Sequence, residues 1–99
     1  MPPEERPVVS AIERIRERIR CRDYFLSCHA EEEMIEDGLE RVDVESVILN
    51  GFVEKKLTRD PRGTRFRVAG RSEDGRLVYV LCRFKEVGPL VIITVYEKR

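Results

Sequence analysis

The stretch Thr64-Arg65-Phe66-Arg67-Val68-Ala69-Gly70-Arg71-Ser72-Glu73-Asp74-Gly75-Arg76-Leu77-Val78-Tyr79-Val80-Leu81-Cys82-Arg83-Phe84 decides the fold. From Thr64 to Ala69 the residues alternate. Phe66 and Val68 point one way and Arg65 and Arg67 the other, the period of a half-buried strand. Asp74-Gly75 is a hairpin-turn dipeptide. Leu77 to Phe84 is apolar on both faces, which assigns it to the middle of a sheet. Upstream, Phe52 to Leu57 reads as a strand joined through Asp60-Pro61-Arg62-Gly63, a turn with Pro at its second position and Gly at its last. Downstream, Leu90 to Tyr96 reads as a second central strand, with Gly88-Pro89 closing the hairpin before it. Four strands with short links predict an antiparallel meander.

Before Gly51 the period changes. Val8, Ala11, Ile12, Ile15 and Ile19 recur at helical spacing with Arg and Glu between them, so a first helix runs from Val8 to about Cys21. Its isoleucine ridge must pack on the sheet or on a second copy, and a homodimer through residues 8–21 is one expectation. Tyr24-Phe25-Leu26 is a brief strand or extended bridge. Ser27 fits an N-cap, and Glu31, Glu32 and Glu33 suit the positive end of a second helix, about Cys28 to Asp37, which Gly38 ends. Ala30, Met34 and Ile35 are its inward residues. Asp43 caps a short third helix, Val44 to Leu49, with Val44, Val47 and Ile48 inward. The predicted class is α+β, with N-terminal helices packed on one face of the four-stranded meander. Residues 1–7, with two prolines, read as a disordered N-terminus, and residues 8–99 as one domain.

The chain has 99 residues, 41% hydrophobic and 38% charged, with Lys+Arg 19 against Asp+Glu 19. That balance predicts neither a generally basic nucleic-acid binder nor an acidic tail. The halves differ: residues 1–50 hold seven basic and thirteen acidic residues, and residues 51–99 hold twelve and six. Either the molecule is bipolar or the halves neutralise each other within the fold. No run approaches the roughly 18 apolar residues of a membrane span. No charged-then-apolar leader precedes residue 20, so a non-secreted, cytoplasmic chain is expected. Cys21, Cys28 and Cys82 are odd in number, which argues against a disulfide scaffold. Their spacing with His29 matches no zinc site, so neither metal nor cofactor is expected.

Two sets of residues carry candidate chemistry. His29, Glu33 and Asp37 lie at intervals of four, along one helix stripe. The stripe fits a general acid/base pair or two metal ligands. It equally fits a solvated face, or a carboxylate row paired with arginines. Arg62, Arg65, Arg67 and Arg83 come from the strand half, with Arg65 and Arg67 on one face. Cations on one sheet face fit a phosphate backbone, and they also fit ion pairs with the acidic stripe. Tyr79 and Tyr96 fit base stacking or ordinary strand packing.

His29-Ala30, Glu33-Met34, Glu36-Asp37, Asp43-Val44-Glu45, Asp60, Arg62-Gly63, Gly70, Asp74-Gly75-Arg76, Val80 and Ile93-Thr94-Val95-Tyr96 together resemble a bacterial domain-of-unknown-function family, DUF4258, over about residues 22–97. The resemblance implies a helix-then-meander order similar to that of the RelE and BrnT ribonuclease toxins, which an antitoxin neutralises. Many relatives carry arginine where this chain has Glu33 and Asp37, so the chain resembles an acidic branch. The expectation that follows is a small bacterial domain of toxin-like fold that binds RNA or an antitoxin-like protein partner. One alternative is an active endoribonuclease with His29 as acid/base, Glu33 orienting it and Arg62 on the phosphate. Binding would then fall to Asp37, Arg65, Arg67 and Arg83. The other alternative is a purely structural interaction module.

Overall fold

The computed structural model describes residues 10–99. Three helices and five strands follow in the order α1 (Ala11–Arg20), β1 (Tyr24–Leu26), α2 (Cys28–Asp37), α3 (Arg41–Asn50), β2 (Phe52–Leu57), β3 (Arg65–Arg71), β4 (Leu77–Arg83) and β5 (Leu90–Glu97). The expected helix start at Val8 and the expected disorder of residues 1–7 lie outside the described residues.

The class is α+β, but the sheet is five-stranded and mixed rather than a four-stranded antiparallel meander. Its order is β1-β5-β4-β3-β2. Strands β2 to β5 pair antiparallel, as the turns require, whereas β1 joins in parallel, with Tyr24 opposite Leu90 and Leu26 opposite Ile92. The cause is topological: β1 leads directly into α2, and the chain returns to that edge only at its last strand. At the other edge β2 is bulged between Val53 and Lys55 and exposes Lys55 and Lys56, features that discourage pairing with a further strand.

Each helix begins and ends for a local reason. Ser10 and Ser27 cap α1 and α2, their hydroxyl oxygens accepting the N–H groups of Glu13 and Ala30. Gly38 ends α2 in the left-handed conformation, φ 65°. Helix α3 starts earlier than expected. Glu40 holds the N-cap position, and Asp43 sits in the first turn, accepting the N–H of Glu40 at 2.8 Å and that of Glu73 at 2.9 Å. The second bond fastens α3 to the β3–β4 turn. Neither α2 nor α3 has a basic residue in its last turn, and arginines from elsewhere serve instead. Arg76 donates to the carbonyls of Asp37 and Gly38, and Arg16 to those of Ile48 and Gly51.

One core unites the helices with a single face of the sheet. Ile15, Ile19, Ala30, Met34, Val44, Val47 and Ile48 meet Phe66, Val68, Val78, Val80, Cys82, Ile92 and Val95. Within the described part of the α1 ridge, Ile15 and Ile19 are buried in the chain's own core and Ala11 and Ile12 are partly buried against it, while Val8 lies outside the described residues. Cys82 packs as a small hydrophobe, and burial pushes its thiol up to about 12. Ile35 does not face inward; it is 80% exposed, because Met34 already occupies the inward position of that turn. Gly70 sets the approach of α3 to β3. A β-carbon there would lie 2.5 Å from the Val47 carbonyl oxygen.

Candidate nucleic-acid interface

Cross-strand neighbours share a face of a sheet, so the register sorts the side chains. One row opposite the core reads Leu57, Arg65, Arg83, Val91 and Phe25. The next reads Lys55, Arg67, Leu81 and Thr94, and the third Phe52, Ala69, Tyr79 and Tyr96. No described helix contributes a buried residue to this face. Its arginines and tyrosines are half-buried, lying along the sheet, and Ala69 and Val91 are buried among them.

At the end where β3 begins and β4 finishes, two of these cations, Arg65 and Arg83, converge with Arg62 from the turn before β3. Ser27, Asp60, Arg62, Arg65, Arg83, Val91 and Ile93 line a cleft of about 240 Å³. The turn after β2 builds it. Asp60 accepts the backbone N–H of Arg62 at 2.8 Å, a local Asp-turn bond, and this holds its carboxylate inside the arginine cluster. Arg65 Nε lies 3.2 Å and Arg62 Nε 3.8 Å from that carboxylate. The Arg62 N–H and the charges of Arg62, Arg65 and Arg83 keep the Asp60 carboxyl below the usual carboxylate range. The Arg65 contact is an ion pair but not an aligned hydrogen bond, so the buried Nε is an unsatisfied donor among the described residues. A second cleft, of about 560 Å³, shares the Arg62 and Arg83 wall and continues past Pro61, Phe84 and Lys85.

Along the same face, Arg67 donates to Glu54 at 2.7 Å, and its guanidinium lies 5.0 Å from the Tyr79 ring centre. Tyr79 and Tyr96 meet edge to face at 5.4 Å. The charge of Arg67 is therefore largely spent on Glu54.

The His29, Glu33 and Asp37 stripe lies elsewhere. Strand β1 covers β5 only from Leu90 to Ile92, and α2 runs beside the remaining edge. Ser27 donates to the Ile93 carbonyl at 2.8 Å, Glu33 accepts the Val95 N–H at 3.0 Å, and Asp37 accepts the Glu97 N–H at 2.9 Å. The match is geometric: four residues of helix advance about 6 Å and two of strand about 6.6 Å, so carboxylates at i and i+4 meet alternate strand amides. Asp37 also takes a 2.8 Å bond from Arg99, and the Glu97 N–H and Arg99 hold its carboxyl below the usual range. His29 is 63% exposed, with Nε2 3.4 Å from the second oxygen of Glu33. It does not line the cleft that holds Arg62. Among the described residues no three His, Cys, Asp or Glu side chains gather as a metal site would require.

Arg62, Arg65 and Arg83 are therefore brought together, Arg67 sits one row away, and the His29–Glu33 pair is separate from the cleft. Sequence reasoning missed Asp60 and Ser27 as cleft residues. The Asp-Pro-Arg-Gly turn was the available signal for Asp60, and the N-cap the signal for Ser27.

No described helix is long and apolar enough to cross a membrane. No curated protein and no solved structure matches the chain significantly. A family model described as a domain of unknown function matches residues 26–97, from the end of β1 through β5, and takes in α2, the arginine cleft and the open sheet face. The chain accordingly belongs to the DUF4258 family.

Proposed function

We propose that the chain is a small cytoplasmic RNA-binding module that lays single-stranded RNA over the open face of its sheet. The observation that carries this reading is the convergence of Arg62, Arg65 and Arg83 on one cleft with a single opposing carboxylate, Asp60. Guanidinium groups bind phosphate in a planar, two-pronged way, which suits them to a nucleic-acid backbone. Tyr79 and Tyr96, on the same face, offer ring surface for unstacked bases. Three of the Lys+Arg 19 line the cleft, so balanced overall charge is no obstacle to a local basic site.

The endoribonuclease reading needs a proton-transfer group at the phosphate. His29, the residue expected to fill that role, does not line the cleft. Binding without cleavage is the better-supported function.

Fluorescence anisotropy with a labelled single-stranded RNA tests the reading. Three phosphate contacts give a salt slope near −2, a loss of roughly fifteenfold in affinity between 50 and 200 mM salt. Arg65→Glu should abolish retention and Glu31→Gln should leave it unchanged. Binding insensitive to Arg65→Glu would overturn the proposal, and no binding at all would favour an antitoxin-like protein partner. Cleavage lost in His29→Ala would restore the endoribonuclease reading.

A further inference from the structure

The arginine cleft is small, and its size, charge and one buried donor say more about the RNA than that it is bound. Clefts that enclose whole drug-sized or nucleotide-sized ligands run from about 300 Å³ upward. At about 240 Å³ this one lies below that range and has ample room for a phosphate group. Three guanidinium groups against one carboxylate leave two positive charges in excess. An internal phosphodiester carries one negative charge, whereas a phosphate monoester carries close to two at neutral pH and a third acceptor oxygen. The monoester balances the excess and the diester does not.

Two further observations agree. Arg65 Nε is buried without a hydrogen-bond acceptor, although Asp60 lies within ion-pair distance of it. A third phosphate oxygen supplies the acceptor that Asp60, tied to the Arg62 N–H, is not aligned to be. The cleft also lies at the end of the strands, with Arg65 the first residue of β3 and Arg83 the last of β4. Ser27, the N-cap of α2, forms part of its wall, so the positive end of that helix dipole adds to the field there. The larger cleft shares Arg62 and Arg83 with it and is completed by Pro61, Gly63, Phe84 and the opposed pair Lys85 and Glu86, space into which the attached nucleoside can extend.

We propose that this cleft is a receptor for the dianionic phosphate monoester at one end of an RNA strand. The inference rests on the RNA-binding reading and narrows it from any single strand to a phosphorylated end.

The test uses the full chain and one decanucleotide RNA prepared with a 5′-phosphate, with a 3′-phosphate and with hydroxyls at both ends. Affinities are measured by anisotropy, with adenosine monophosphate as a competitor. One phosphorylated form should bind at least tenfold more tightly than the hydroxyl form. Arg62→Gln and Arg83→Gln should weaken both forms, because the same arginines meet internal phosphates of the hydroxyl form, but should weaken the phosphorylated form far more, so that its advantage falls below about twofold. Arg62 is 79% exposed in a turn, so its variant tests the cleft without threatening the fold, and a thermal melt checks both proteins. Equal affinity for all three RNAs overturns the end-recognition inference and leaves the RNA-binding reading standing. Binding of none overturns the RNA-binding reading. Adenosine monophosphate competing as well as the phosphorylated RNA supports a monoester cleft but overturns an RNA end as its source.

Discussion

Glu33→Ala isolates the role of the acidic stripe. Glu33 is the acceptor for the N–H of Val95, a residue with no solvent exposure, on the edge of β5 that faces away from β4 and lies beyond the end of β1. Truncation leaves that amide without a partner. An orphaned buried donor costs about 1–3 kcal/mol, and a hydrogen bond to a charged group contributes about 1.5–3. Two effects reduce the loss. The Glu33 side chain is 22% exposed, so water reaches part of the vacated space, and alanine is slightly the better helix former. The expected net destabilisation is about 1.5 kcal/mol. Urea unfolding followed by circular dichroism should show the midpoint falling by about 1 M, for a slope of about 1–1.5 kcal/mol per molar. Glu33→Gln keeps a side-chain oxygen for the amide and should cost less than about 0.5 kcal/mol, as should Glu36→Ala on the exposed face. Amide exchange supplies the local readout: Val95 should lose protection in Glu33→Ala and not in Glu33→Gln. A Glu33→Ala protein within about 0.5 kcal/mol of the parent, with Val95 still protected, would refute the edge-capping role and return Glu33 to the list of residues available to His29.

Two other outcomes follow from the same geometry. Gly70→Ala should destabilise the fold by about 3 kcal/mol, the upper end for an overpacked core, because the added methyl meets backbone of α3 that no rotamer change can move aside; a thermal melt lowered by less than about 5 °C would contradict this. Asp37 has a folded-state carboxyl held below its ordinary value, so its contribution is fully present above about pH 4 and is lost as the pH falls through the lower, folded value; an acid titration of stability should be shallower in Asp37→Asn than in the parent below about pH 4, and superimposable acid limbs would count against the Glu97 and Arg99 contacts.

Much of the architecture is legible from residue periods and turn chemistry. Ser27, Gly38, Asp60-Pro61-Arg62-Gly63 and Asp74-Gly75 act locally, and the elements they bound appear where the sequence places them. What is not legible depends on distant partners. Tyr24-Phe25-Leu26 is too short to declare its pairing, and its partner, Leu90 to Ile92, lies at the far end of the chain. Period two puts Arg65 and Arg67 on one face, but only the cross-strand register adds Arg83 to the row of Arg65 and leaves Arg67 a row away. The stripe of His29, Glu33 and Asp37 is visible as a spacing. That two of its members accept strand amides follows from β1 ending at Leu26, which leaves the β5 edge open beyond Ile92.

That geometry also resolves the contrast between the acidic and basic halves. Among the described residues one ion pair joins the halves, Asp37 with Arg99 where β5 ends; beside it Arg76 pairs with Asp74 and Glu97 of its own half and caps the carbonyl end of α2. Glu54 and Arg67 neutralise each other within the strand half. At the opposite end of the sheet the acidic helices send no carboxylate into the cleft; the α2 residue that lines it is Ser27, a neutral cap. Arg62 and Arg65 share Asp60, and Arg83 makes no ion pair with a described residue, so part of the excess of the basic half is gathered at this site. Three guanidinium groups crowded around one carboxylate repel one another unless an anion joins them, because each cation added beyond the first is opposed by those already present. The fold therefore spends Glu33 and Asp37 on sealing a strand edge and leaves the arginines of the opposite end under-compensated. This under-compensation is the electrostatic basis of the anion site proposed above.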